Sequence, residues 1–151
     1  HHAWWQLGWI TDYLMAELSL RSQDRIRFPS GFITPKVGPH KTFGFQKGKI
    51  FDQEGDLLFI QNLITLSNPN MDYLCALNRK TRKFYLFILN NDDELQQGDL
   101  RIDGSRFIPG HHLQQETAVC FSASGERMNG ASVNRVKIAP YGLQVYTFNY
   151  N

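Results

Sequence analysis

Along the chain the hydrophobic pattern moves from a helical period, through an interrupted stretch, to a period of two. The run from Trp4 to Leu20, WWQLGWITDYLMAELSL, predicts a helix. At 100° per residue it sets Trp4, Leu7, Thr11, Leu14, Met15 and Leu18 on one side. Trp5, Trp9, Tyr13, Ala16 and Leu20 fall on roughly the opposite side. Such a helix requires cover on two faces, and one sheet covers only one of them. The other face needs a second layer, another copy of the chain or a neighbouring domain, and the last is expected, with Trp5, Trp9 and Tyr13 left for that contact.

From Arg21 to Phe51, Pro29, Pro35 and Pro39 together with Gly31, Gly38, Gly44 and Gly48 interrupt every helical or strand pattern. The apolar content of that stretch, Ile26, Phe28, Phe32, Ile33, Val37, Phe43, Phe45 and Ile50, is too high for a free linker. It predicts an ordered connection packed over a surface.

Beyond it the period becomes two. LLFIQNLITL, 57–66, is apolar on both faces and predicts a single inner strand. DYLCALN, 72–78, and KFYLFILN, 83–90, flank the polar turn 79–82 and predict a hairpin. Further strands are expected at 99–102, 105–108, 117–122, 133–139 and 143–150. The last two are joined by Pro140-Tyr141-Gly142, where Pro fixes φ and Gly would allow a positive one. The fold class expected is mainly β: an antiparallel β-sandwich preceded by an N-terminal α-helix and a long ordered loop. The domain plan is a helical segment over 1–25, an ordered connection over 26–56 and a β-sandwich over 57–151. The chain lacks an initiator Met and opens on two His, so segment 1–25 is expected to be the end of a larger domain.

Composition narrows the partners. At 151 residues and 42% hydrophobic content the chain can bury one ordinary core. Sixteen basic against fourteen acidic residues give a net charge of only +2, which argues against nucleic acid as a partner. No apolar run approaches the ~20 residues of a membrane span. Cys75 and Cys120 lie in separate strand-like runs without metal-knuckle or redox spacing. They read as buried free thiols, and a disulfide would require those two strands to pack side by side.

Candidate chemistry is concentrated in the first half. Trp4 and Trp5 supply flat apolar faces, and Lys36 and His40, in a loop stiffened by Pro35 and Pro39 and opened to close backbone approach by Gly38, supply directional donors. Together they suit a sugar ring, although the same residues suit a core with a polar lid. Asp12 and Glu17 point roughly 140° apart on the helix, so they are not the carboxylate pair of glycoside hydrolysis. NNDDEL, 90–95, offers oxygen donors but not the alternate spacing of a calcium loop. His111 and His112 have no third ligand in register. No metal, cofactor or catalytic residue is assigned, and no phosphate loop, nucleophile elbow or dinucleotide fingerprint occurs.

The second half resembles the C-terminal β-sandwich of many multidomain glycoside hydrolases, in which a strand ends "AL-N" and the domain closes on "V-x-V-x-P-x-G-L". Ala76, Leu77 and Asn78 match the first pattern. Val136, Ile138, Pro140, Gly142 and Leu143 match the second, with Ile138 in place of Val. The stretches GWITDYLMAELSLRS and FPSGFITPKVGPHKTFGF are similar to the region before that domain in exported glycosidase-like proteins with a helical catalytic domain. The resemblance implies an extracytoplasmic, glycan-related parent: periplasmic, surface-bound or secreted. The expected role is a noncatalytic accessory sandwich that buttresses a catalytic domain upstream. The alternatives are a carbohydrate-binding module and a contributor of sugar-contacting residues to a hydrolase site. Self-association through the N-terminal helix is expected as well.

Overall fold

The computed structural model describes residues 4–18, 50–52, 57–60, 63–90, 92–104, 107, 110, 112–121, 127–128 and 135–151. Helix α1 spans Trp4–Leu18. Ten strands follow: β1 Ile50–Asp52, β2 Leu57–Ile60, β3 Ile64–Leu66, β4 Met71–Asn78, β5 Lys83–Asn90, β6 Gln96–Ile102, β7 Leu113–Phe121, β8 Arg127–Met128, β9 Arg135–Ile138 and β10 Leu143–Tyr150. The described residues are mainly β, and every strand pairing is antiparallel. A seven-stranded sheet runs β1-β2-β4-β5-β10-β7-β8, and a three-stranded sheet runs β3-β6-β9.

The two sheets enclose the core. Phe84, Leu86 and Ile88 on β5 join Cys75 and Leu77 on β4 and Tyr146 and Phe148 on β10. From the smaller sheet Ile64, Leu100, Val136 and Ile138 complete the same cluster. Because side chains alternate across a strand, Tyr85, Phe87 and Leu89 point to the other face of the large sheet, yet they too are buried. Helix α1 covers that face. The Tyr13 ring stands edge-on to Tyr85 at 5.4 Å and to Phe87 at 5.9 Å, and Ile10 and Leu14 are fully buried. The molecule thus stacks helix, large sheet and small sheet, and β5 is apolar on both faces because it is buried on both.

Several expectations are corrected. The apolar run 57–66 is not one strand: β2 pairs with β4 in the large sheet and β3 with β6 in the small one. The run is apolar throughout because its two halves serve two different sheets. Phe107 lies in a bend rather than a strand, and it plugs the core end-on, 5.8 Å from Phe84 and 5.3 Å from Tyr150. Residues 105, 106 and 108 of that expected strand lie outside the described residues. Tyr13 does not await a foreign partner but faces the sheet, with Trp9 stacked on it at 5.1 Å. β1 falls inside the stretch read as connection.

The left-handed residue of the last turn is Tyr141, with φ 54°, one place before the glycine. The turn closes by the Gly142 N–H donating to the Ala139 carbonyl at 2.8 Å. Cys75 and Cys120 are free, and their strands are separated by β5 and β10, which at ~4.8 Å per strand puts them roughly 14 Å apart. No disulfide can join them.

Candidate functional site

The polar groups that converge in the described structure do so along the seam between α1 and the large sheet. Gln6, Ile10, Tyr13, Leu14 and Glu17 recur at helical spacing and form the docking face. Near the start of the helix, the Gln6 side-chain amide donates to the Gly142 carbonyl at 2.7 Å and to the Asn90 carbonyl at 3.1 Å. Gln6 is fully buried, and its Oε1 has no hydrogen-bond partner. At the other end, the Glu17 carboxylate accepts the Tyr85 hydroxyl at 2.8 Å, and the Glu17 carbonyl accepts the Asn78 amide at 3.4 Å. The helix therefore runs alongside the β4–β5 hairpin and is fastened at both ends.

Asn78 and Asn90 sit at opposite ends of that hairpin, since Asn78 pairs with Lys83 and Asn90 with Met71. Each organises the turn that follows it. The Asn78 Oδ1 accepts the N–H groups of Lys80 and Thr81 at 3.0 and 3.4 Å. The Asn90 Oδ1 accepts the Asp92 N–H at 2.9 Å, while its amide donates to the carbonyls of Glu94, Ile138 and Ala139. Asparagine suits both places because its side chain can mimic a backbone turn. The acidic run after Asn90 is shaped by these contacts, and Asp92 also accepts the Gln96 amide at 3.0 Å. Among the described residues no group of three His, Cys, Asp or Glu could hold a metal ion.

A second polar chain crosses the large sheet. The Cys120 thiol donates to the Gln144 Oε1 at 3.1 Å, and the Gln144 amide donates to the Tyr146 hydroxyl at 2.6 Å. Burial pushes both thiols up, Cys75 well above its usual range. Neither offers a thiolate nucleophile at neutral pH. Burial likewise raises Tyr85, helped by its hydrogen bond to Glu17, and raises Tyr146, helped by Cys120. Of these groups the Cys120 thiol and the Tyr85 hydroxyl are the ones that donate, to Gln144 and to Glu17, whereas the Tyr146 hydroxyl accepts from Gln144.

Of the residues nominated for sugar contact, Trp4 and Trp5 begin α1, and their side chains lie outside the described residues. Lys36 and His40 lie outside them altogether. Asp12 is exposed while Glu17 is docked on the sheet, so the structure does not bring these two carboxylates together. The backbone of His112 donates to the Asn151 side chain at 3.2 Å, and His111 lies outside the described residues. Gln6 and Asn90 were not legible as seam residues. A lone Gln between two aromatic faces carries no pattern, whereas an Asn ending a strand before a polar run is a turn signal that could have marked both asparagines.

No protein-family model matches the chain, and no curated protein matches it.

Proposed function

We propose that the chain is a noncatalytic accessory β-sandwich of an extracytoplasmic carbohydrate-active protein, which buttresses a catalytic domain beside it. The observation that carries this reading is how the motif residues are used. Asn78 of "AL-N" holds its turn and the end of α1, and Gly142 of "V-x-V-x-P-x-G-L" receives Gln6 through its carbonyl. Residues that carry the likeness to terminal sandwiches thus serve the frame that fixes α1. The neighbouring domain, or another copy of the chain, rests against the outward side of α1, where Asp12 and Ala16 are exposed.

The test uses this chain by itself and, as the longer polypeptide, the same chain joined to the catalytic domain proposed to lie beside it. The chain alone should hydrolyse no member of a glycan panel. In the longer polypeptide Gln6→Ala should lower the melting temperature of the catalytic domain together with that of the sandwich. Turnover by the chain alone, or a catalytic domain indifferent to the sandwich, defeats the reading. Loss of sugar binding on changing Trp4, Trp5, Lys36 or His40, with the melting temperature intact, would favour the binding-module alternative.

A further inference from the structure

We propose that the tip of the β4–β5 hairpin, Arg79 to Lys83, binds a linear anionic polysaccharide, a saccharide chain bearing carboxylate or sulfate groups. The tip reads Arg-Lys-Thr-Arg-Lys, four cations in five residues. The whole chain carries only +2, so without the tip the remainder is net negative by two. The tip carries a local charge of +4 within five consecutive residues.

The tip is also held in one shape. The Asn78 Oδ1 accepts two of its N–H groups, Arg82 takes a left-handed φ of 56°, and the Arg82 carbonyl accepts the Tyr150 N–H at 3.0 Å. Arg79, Lys80 and Arg82 are exposed. Lys80 and Arg82 have no ion-pair partner among the described residues. Cations fixed on a rigid backbone lose less freedom when they bind.

The chemistry of the tip selects the partner. A single exposed ion pair contributes at most about 1 kcal/mol, so a small monovalent anion would not be held. A polyanion engages several cations with one chain and releases its condensed counterions. The five residues include no apolar side chain to enter a bilayer and no aromatic ring on which a nucleobase could stack. Recognition by charge alone is left. The choice of a saccharide backbone rests on the glycan-related reading above, whereas the charge of the tip does not.

The experiment is elution of the intact chain from immobilised heparin by a salt gradient, with alginate, duplex DNA of matched charge and anionic phospholipid vesicles as competitors. The chain should be retained at about 0.15 M salt and released by heparin or alginate at lower concentration than by DNA or vesicles. Lys80→Gln with Arg82→Asn should elute earlier, asparagine being chosen because it tolerates the left-handed backbone. The slope of log affinity against log salt should fall by roughly two in that variant. Lys80→Arg with Arg82→Lys keeps the charge and should elute with the parent. The proposal is overturned if the charge-removed variant, with an unchanged melting temperature, co-elutes with the parent. It is overturned equally if DNA or vesicles compete better than both polysaccharides. Either failure leaves the accessory reading to its own test, which depends on Gln6 and on turnover and not on this tip.

Discussion

Tyr85 donates its hydroxyl to the Glu17 carboxylate at 2.8 Å, which ties the later turns of α1 to the central strand of the large sheet. A hydrogen bond to an ionised acceptor contributes about 1.5–3 kcal/mol when shielded from water. Glu17 is only half-buried, so the lower end applies. Tyr85→Phe should cost about 1–2 kcal/mol in urea unfolding, and Glu17→Gln about 1 kcal/mol. In the double variant the losses should fall short of additivity by about 1 kcal/mol. Fully additive losses would mean that the two groups do not hold each other.

Asn90 has more to lose. Its amide serves three carbonyls and its Oδ1 one N–H, all in the region where the Pro140 turn meets the acidic run. Asn90→Ala leaves the Ile138 carbonyl buried without this donor and should destabilise by about 3 kcal/mol. Asn90→Asp keeps the shape and the Asp92 contact but replaces the donor with a charge facing carbonyl oxygens, so it should be at least as damaging at neutral pH. An Asp variant that melts with the parent would show that the three carbonyl contacts contribute little.

These contacts also mark where the chain could and could not be read in advance. The hairpin was legible because 83–90 alternates large apolar residues and 79–82 is wholly polar; the strand ends fall at Lys83 and Asn90 as that pattern predicts. β10 was legible for the same reason. The run 57–66 misled because periodicity reports burial and not the sheet a strand joins. On α1 the apolar stripes were read as the contact faces, whereas the docked line runs between them, through Gln6, Ile10 and Glu17, and takes only Tyr13 and Leu14 from the stripe edges. Two polar members of that line are bound by groups more than sixty residues away in sequence, and hydropathy along a helix holds no trace of such partners. At the last turn Pro-Tyr-Gly promised a positive φ, but the strain fell on Tyr141 while Gly142 was used for its buried carbonyl. The nominated sugar-contact residues Lys36 and His40 lie outside the described residues, so the reading of that loop rests on sequence.

The core prediction follows from the same alternation. Leu86 is fully buried between the sheets, and Leu86→Ala should cost about 2–5 kcal/mol. Phe84→Ala removes a ring that contacts both Phe107 and Phe148, and about 3–5 kcal/mol is expected. Lys80→Gln, at the exposed tip of the same hairpin, should change stability by less than about 0.5 kcal/mol. Urea melts of the three variants check this ordering, and a Leu86→Ala loss below about 1 kcal/mol would put that face of β5 in solvent.

The buried phenols and thiol make the fold sensitive to base. Burial, with Cys75 beside it, pushes Tyr73 up to about 12 from an ordinary 10.0. Burial raises Tyr85 and Tyr146 in the same direction, and it lifts Cys75 well above an ordinary 9.0. In each case the native state keeps a proton that the unfolded chain gives up, so above the ordinary values the unfolded state binds fewer protons. Stability must then fall as pH rises. It should be fully present below about pH 9, decline as the unfolded Cys75 and the tyrosines ionise, and continue to fall through about pH 12 as Tyr73 titrates in the native state. Melting temperatures measured in steps across that window should fall progressively. Tyr73→Phe should make the decline shallower, because one of the retained protons is gone from both states. A melting temperature that stays flat to about pH 11 would mean that these hydroxyls ionise as freely in the folded chain as in the unfolded one.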